Sequence, residues 1–255
     1  MSPDMRTRVK SPFADEIRLP PPFRLITLRE VGDAFAHATA HARDEGAGTL
    51  IHVGRFDLSE FAVVLEPDEP LWQARRTFYA CMAALADALA VAAPPETPIA
   101  IDWPDAIRIN MGLVGGGRLA WPADAKEDEP PQWLVFGAMI RLVSMAEGDS
   151  GLRPLSAALE DEGFDDIAAA RLVETFAPHL MVMLDAWKEE GFPAVAKSYL
   201  SRLAPETEKG IRRDIDDNGD LLLRRAGKTD VQRRKLLPAL ATPSWRDPAT
   251  GGPRS

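Results

Sequence analysis

Ile101-Asp-Trp-Pro-Asp-Ala-Ile-Arg-Ile-Asn-Met-Gly-Leu-Val-Gly-Gly-Gly-Arg-Leu-Ala-Trp121 reads as two strands facing each other across a tight polar turn at Asn110-Met-Gly112. The second strand carries Gly115, Gly116 and Gly117 in succession. Glycine weakens a strand, because it adds backbone entropy and offers no packing surface. Three in a row are expected where another group lies flat against the backbone, the alternative being a bulged or strongly twisted strand.

The 255 residues, 45% hydrophobic and 27% charged, are enough for one substantial core, or for one core with a small appended unit. No run of about 18 apolar residues is present, and Met1 to Lys10 has charges with no apolar run behind it. The expected location is therefore the cytoplasm, with no membrane contact. The single cysteine, Cys81, leaves no disulfide framework and reads as a small buried hydrophobe. A formal charge of −9 would repel a phosphate backbone, so a nucleic-acid partner is not expected.

Outward from the central motif, residues 1–21 end in Leu19-Pro-Pro-Pro22 and read as a flexible tail. An extended piece follows at Phe23 to Leu28, then a helix over Glu30 to Glu45 with Val31, Phe35, Ala38 and Ala42 on its apolar side. Thr49 to Val53 and Glu60 to Leu65 should pair as a hairpin, and Glu69 to Ala93 should form one long helix closed by Pro94-Pro95. Trp133 to Val143 reads as a strand buried on both faces. Helices are expected over Ile167 to Phe176, Pro178 to Glu190 and Val195 to Leu203, and a hairpin at Asp217-Asn-Gly219. The predicted class is α+β, a mixed, largely antiparallel sheet with helices on its face and a small C-terminal β appendage. The expected divisions are a domain over 22–205, a small β domain over 206–246 and a disordered tail over 247–255.

In sequence order these pieces resemble the biotin and lipoate protein ligase family. Trp103-Pro104-Asp105 leading into Gly115-Gly116 resembles that family's Trp-Pro-Asn-Asp motif and the glycine-containing strand after it. Trp133 to Ile140 is similar to a later family strand, and Gly210 to Leu223 is similar to the strand pair of its C-terminal domain. The resemblance implies attachment of a biotinyl, lipoyl or octanoyl group to a lysine of a biotinyl or lipoyl carrier domain, with ATP and Mg2+ if the acid is first adenylated. Three departures bear on that activity. The expected Gly/Arg-rich phosphate loop is reduced to Gly54-Arg55-Phe56-Asp57, no lysine lies between Asp102 and Ala125, and the Asn-Asp pair is Asp105-Ala106. Transfer from an already activated acyl donor therefore stands beside ATP-driven ligation, and a catalytically silent relative that binds an acyl ligand or a carrier domain is the alternative.

On this reading Asp105 and Arg118 are the catalytic candidates. Asp105 would orient a lysine, or else cap its own turn after proline. Arg55, Trp103, Arg108, Asn110, Gly115, Gly116 and Gly117 are the candidates for binding acyl group or nucleotide, Trp103 serving otherwise as a core aromatic. No metal site is expected: His37 and His41 have helical i, i+4 spacing but no evident third ligand. Asp214-x-Asp216-x-Asn218-Gly219 has Arg225 where a calcium loop needs glutamate, and reads as a β-turn.

Overall fold

The computed structural model describes residues 17–144, 155–164, 169–206, 208 and 210–254. Ile17 and Leu19, inside the stretch expected to be a flexible tail, pack against the core, and residues 1–16 lie outside the described part. Strand β1 (Arg24–Leu28) runs parallel to β2 (Thr49–Val53) and is joined to it by helix α1 (Ala34–Glu45). The helix starts four residues later than its periodicity predicts, because Asp33 caps it by accepting from Ala36 N at 2.8 Å. Val31 is left outside, almost fully exposed.

β3 (Leu58–Leu65) pairs with β2 as predicted, and then with β7 (Leu134–Arg141) rather than with its next neighbour in sequence. Beyond β7 lie β6 (Gly112–Ala120), β5 (Ala106–Ile109) and β4 (Ile99–Asp102), so the sheet order is β1-β2-β3-β7-β6-β5-β4. All pairs but the first are antiparallel. The turn between β5 and β6 has Asn110 and Met111 at positive φ, the geometry that a two-residue hairpin requires. The predicted single helix after β3 is broken into α2 (Leu71–Ala74) and α3 (Thr77–Ala92), whereas the two helices predicted around Pro178 are one, α4 (Ala169–Glu190). Pro178 lies inside it, and Ile167 lies outside the described residues.

Helices α3, α4 and α5 (Phe192–Arg202) cover one face of the sheet with the main core, around Phe61, Phe78, Tyr79, Phe136, Phe176 and Tyr199. The other face is shared. Ala34, Ala38 and Ala42 of α1 pack on β2, β3 and β7, and the β5–β6 end is covered by the C-terminal segment instead. The predicted hairpin β8 (Ile211–Ile215) and β9 (Leu221–Arg225) gains a third strand, β10 (Val231–Arg234), and is followed by helix α6 (Leu236–Ala241). This small sheet has no core of its own: Ile215, Leu221, Leu223, Leu236 and Leu240 join the main cluster. Residues 247–254, expected to be disordered, instead form a closed loop in which Asp247 N donates to Gly252 O and Arg254 N to Trp245 O, both at 2.8 Å.

The glycines of β6 are explained by close approach. A Cβ at Gly115, whose φ is +151°, would lie 1.9 Å from the Met139 carbonyl oxygen of β7. At Gly117 it would meet Met82 and Phe136, both at 2.6 Å. Relief at Gly115 would require moving backbone, so Gly115→Ala is expected to cost roughly 3 kcal/mol, the upper range for overpacking. The denaturation midpoint checks this.

Candidate functional site

Register places Ala106, Gly116, Met139 and Glu60 in one row across β5, β6, β7 and β3, and the next row holds Arg118 and Gly137. Both rows face away from the main core. Gly116 is where the group lying flat on the backbone is found, and that group belongs to the chain itself. A Cβ at Gly116 would come 2.0 Å from the Asp105 carbonyl oxygen and 2.4 Å from Trp245 Cδ1, and the indole Nε1 donates to Gly117 O at 2.9 Å. Trp245 is 1% exposed and packs with Leu58, Ala106, Leu113 and Met139 in a small cluster separate from the main core. Burying a side chain of this size contributes about 4 to 6 kcal/mol before entropy is counted.

The carboxylate of Asp105 is closed by the neighbouring residue. Ser244 N donates to Oδ2 at 2.8 Å and Ser244 Oγ to Oδ1 at 2.6 Å, while the Asp105 carbonyl accepts from Gly117 N. Asp105 is 1% exposed. Burial raises its pKa to about 6, partly offset by the two Ser244 bonds.

Along the same face a second cluster lies at the N-terminus of α1. Glu60 is buried and accepts from Ala34 N at 2.8 Å, so its carboxylate faces the positive end of the helix. Burial nevertheless raises its pKa. Arg55, in the β2–β3 loop, holds Asp57 through two bonds at 3.1 and 2.9 Å and approaches Glu60 to 3.9 Å. Arg118 of β6 stacks over the Phe35 ring at 4.0 Å and reaches Asp33 at 3.3 Å. Burial lowers the pKa of its guanidinium, and Arg246 adds to that effect. Phe35 in turn rests against Gly137. The face thus presents two guanidinium groups around one buried carboxylate, an arrangement able to hold a carboxylate or phosphate oxygen while Glu60 accepts a hydrogen bond.

The remaining candidates lie elsewhere. Trp103 packs against the helix-side core and donates its indole N–H to Tyr79 Oη at 3.1 Å, so it lines no part of the glycine face. Arg108 is bound to Asp102 and to the Met111 carbonyl, and Asn110 donates to Glu162, so both serve the hairpin end. The rings of His37 and His41 lie 4.6 Å apart at a tilt of 43°, and among the described residues no three potential metal ligands cluster. Asp216 accepts from the backbone of Asn218 and Asp220, as a turn aspartate does.

Sequence reasoning missed Glu60, Asp33, Ser244 and Trp245. Glu60 could have been found as the one charged residue in a largely apolar strand, Leu58 to Leu65. Nothing in Pro243-Ser-Trp-Arg246 marks it as a partner of residues more than a hundred positions earlier.

The raised pKa of Asp105 has a sign that can be tested. Between its ordinary value of 3.8 and about 6, the folded state keeps a proton that the unfolded chain has released, so the contribution of this group to stability falls as pH rises through that window. The loss is at most about 3 kcal/mol. Asp105→Asn removes the titration, so the stability difference between native chain and variant should decline from pH 4 to pH 7. Thermal melts across that range measure it, and a flat difference contradicts the assignment.

Comparison with known proteins accords with this architecture. Residues 19–201 match the model of the biotin/lipoate A/B protein ligase family. A biotin protein ligase-like protein of unknown function from Silicibacter sp. is 28% identical, with a TM-score of 0.74 over 88% of this chain and 98% of that one. The biotin protein ligase of Aquifex aeolicus is 15% identical, with a TM-score of 0.62 over 84% and 99%, and that of Leishmania major in complex with biotin is 15% identical, with a TM-score of 0.54 over 85% and 99%. No curated protein matches the sequence. With the match spanning well over half of its length, the chain belongs to the biotin/lipoate A/B protein ligase family.

Proposed function

We propose that the protein transfers a biotinyl, lipoyl or octanoyl group to a lysine of a carrier domain, and that the face of β3, β7 and β6 turned away from the main core is where the acyl group is held. The observation that carries this reading is the convergence of Arg55, Glu60 and Arg118 on that face, within the part of the chain that matches the family. The guanidinium groups would hold the acyl donor's carboxylate or phosphate oxygens. Burial makes such contacts stronger than they would be in water. Glu60, with its raised pKa, would accept the proton that the lysine amine gives up as the amide bond forms and the leaving group departs.

ATP is the donor-activating substrate that the related ligases suggest, since the Aquifex enzyme has been seen with biotin and ATP. Arg55 and Arg118 fit its anionic part and would be the residues to meet the phosphates. Mg2+ would take most of its ligands from phosphate and water, as is usual for this ion, since among the described residues no three potential metal ligands are grouped to hold it. No lysine lies between Asp102 and Ala125, so two arginines would supply the charge, and their fork geometry suits bidentate contact with an oxyanion. No helix among the described residues is long and apolar enough to cross a membrane.

A second reading, a catalytically silent relative that binds an acyl ligand or carrier domain, is favoured by one observation: both oxygens of Asp105 are taken by Ser244. The test incubates the protein with biotinyl and lipoyl carrier domains, each acid with magnesium-ATP, and an octanoyl-carrier donor, and reads the intact carrier mass. A mass increase is expected, reduced at least tenfold in Arg118→Ala and in Glu60→Gln at unchanged melting temperature. No mass increase under any condition, with folded protein, selects the silent relative.

A further inference from the structure

We propose that residues 242–254 are an internal strap occupying the ligand face, and that a fused-ring ligand presenting an N–H enters by displacing Trp245. This rests on the reading that the glycine face of β6 belongs to the acyl-binding region. The strap lies wholly outside the stretch that matches the family, residues 19–201, yet it covers the central motif of that stretch.

The strap is closed on itself. Asp247 N donates to Gly252 O, Gly251 N to Asp247 O and Arg254 N to Trp245 O, and Arg246 bridges to Pro253. It can therefore leave as a unit without exposing many unpaired backbone groups of its own. Its neighbour α6 stays in place, since Leu236 and Leu240 belong to the main core, and Thr242-Pro243 is the joint between them.

Side-chain hydrogen bonds and one apolar seat hold the strap among the described residues. Ser244 binds Asp105, Trp245 binds Gly117 O, and Arg141 of β7 donates to Pro253 O at 2.7 Å and to Arg254 O at 3.0 Å. The apolar seat is the small cluster of Leu58, Ala106, Leu113 and Met139, separate from the main core, so emptying it leaves that core intact.

The seat also specifies its guest. It offers a side-chain-free floor at Gly116, apolar walls, and one carbonyl acceptor at Gly117 now met by the indole N–H. An apolar ring without a donor would bury that acceptor unpaired. The ureido ring system of biotin and the aminopurine of adenosine both supply an N–H. The dithiolane of lipoate and the chain of octanoate do not.

The experiment uses the 255-residue chain and its Trp245→Gly variant, with biotin, adenosine, lipoate and octanoate titrated singly by calorimetry. Biotin or adenosine is expected to bind the variant at least tenfold more tightly than the native chain, and neither lipoate nor octanoate is expected to do so. In the native chain, saturating concentrations of the ligand that binds should accelerate amide exchange across residues 244–254. A folded variant that binds none of the four, or one that prefers lipoate or octanoate, overturns the proposal. If the variant does not fold, amide exchange of the native chain decides, unchanged protection of 244–254 at saturating biotin and adenosine being the refuting result. Carrier modification with the strap still protected refutes the strap alone. Strap displacement by ligand without any carrier modification refutes the transfer reading and leaves the strap standing.

Discussion

The bare backbone of β6 is the constraint from which the rest of this structure follows. Gly115 lets the Met139 carbonyl approach, Gly117 gives room to Met82 and Phe136 on the helix side, and Gly116 provides the floor for Trp245 on the other. A methyl group at any of the three would lie well inside contact distance of backbone or side-chain atoms that are already close-packed. The strand forms despite its glycines because β5 and β7 flank it on both sides, so the conformational cost of the glycines is offset by neighbours on every face.

Two regions of one sheet face are thereby given different characters. Over β5 and β6 the indole and Ser244 exclude water, and Asp105 is held where ionisation is disfavoured. Over β3 and β7 the N-terminus of α1 meets Glu60, with Arg55 and Arg118 at its sides. The first region resembles a seat already filled, and the second a cluster of charges whose partners are partly internal. Arg118 joins them: it lies two residues beyond Gly116, stacks on Phe35, and feels the charge of Arg246 from the strap. A ligand spanning the two regions would trade Trp245 for its ring and Asp33 for its acidic group.

Much of the fold was legible in advance because it depends on local signals. The Asn110-Met-Gly turn, the Asp217-Asn-Gly219 turn and the apolar run of β7 all declare themselves within a few residues. The errors fell where tertiary packing overrode such signals. Pro178 reads as a break, but α4 continues through it while packed on α3 and α5. Alanine-rich Glu69 to Ala93 reads as one helix, but it is interrupted at Arg75 and Arg76, which turn to Glu127 and Glu69. Of the candidate site, Asp105, Arg118 and the glycines were visible as a motif, and of the two readings open for Trp103 the structure has the core aromatic, because a motif does not say which side of the sheet a residue at a bend will take.

By itself the sequence determined the family, the α+β class and the requirement that something lie against Gly115 to Gly117. These follow from residue order, periodicity and the steric properties of glycine, which act over short distances along the chain. Only the tertiary structure decided what that something is. Trp245 lies 129 positions beyond Gly116, and the pairing of indole with glycine floor, like that of Ser244 with Asp105, exists only because α6 is anchored in the main core and delivers the last residues to the opposite face of the sheet. Contacts between distant segments leave no periodic trace in either segment, so the occupant of the face could be known only once the chain had closed on itself.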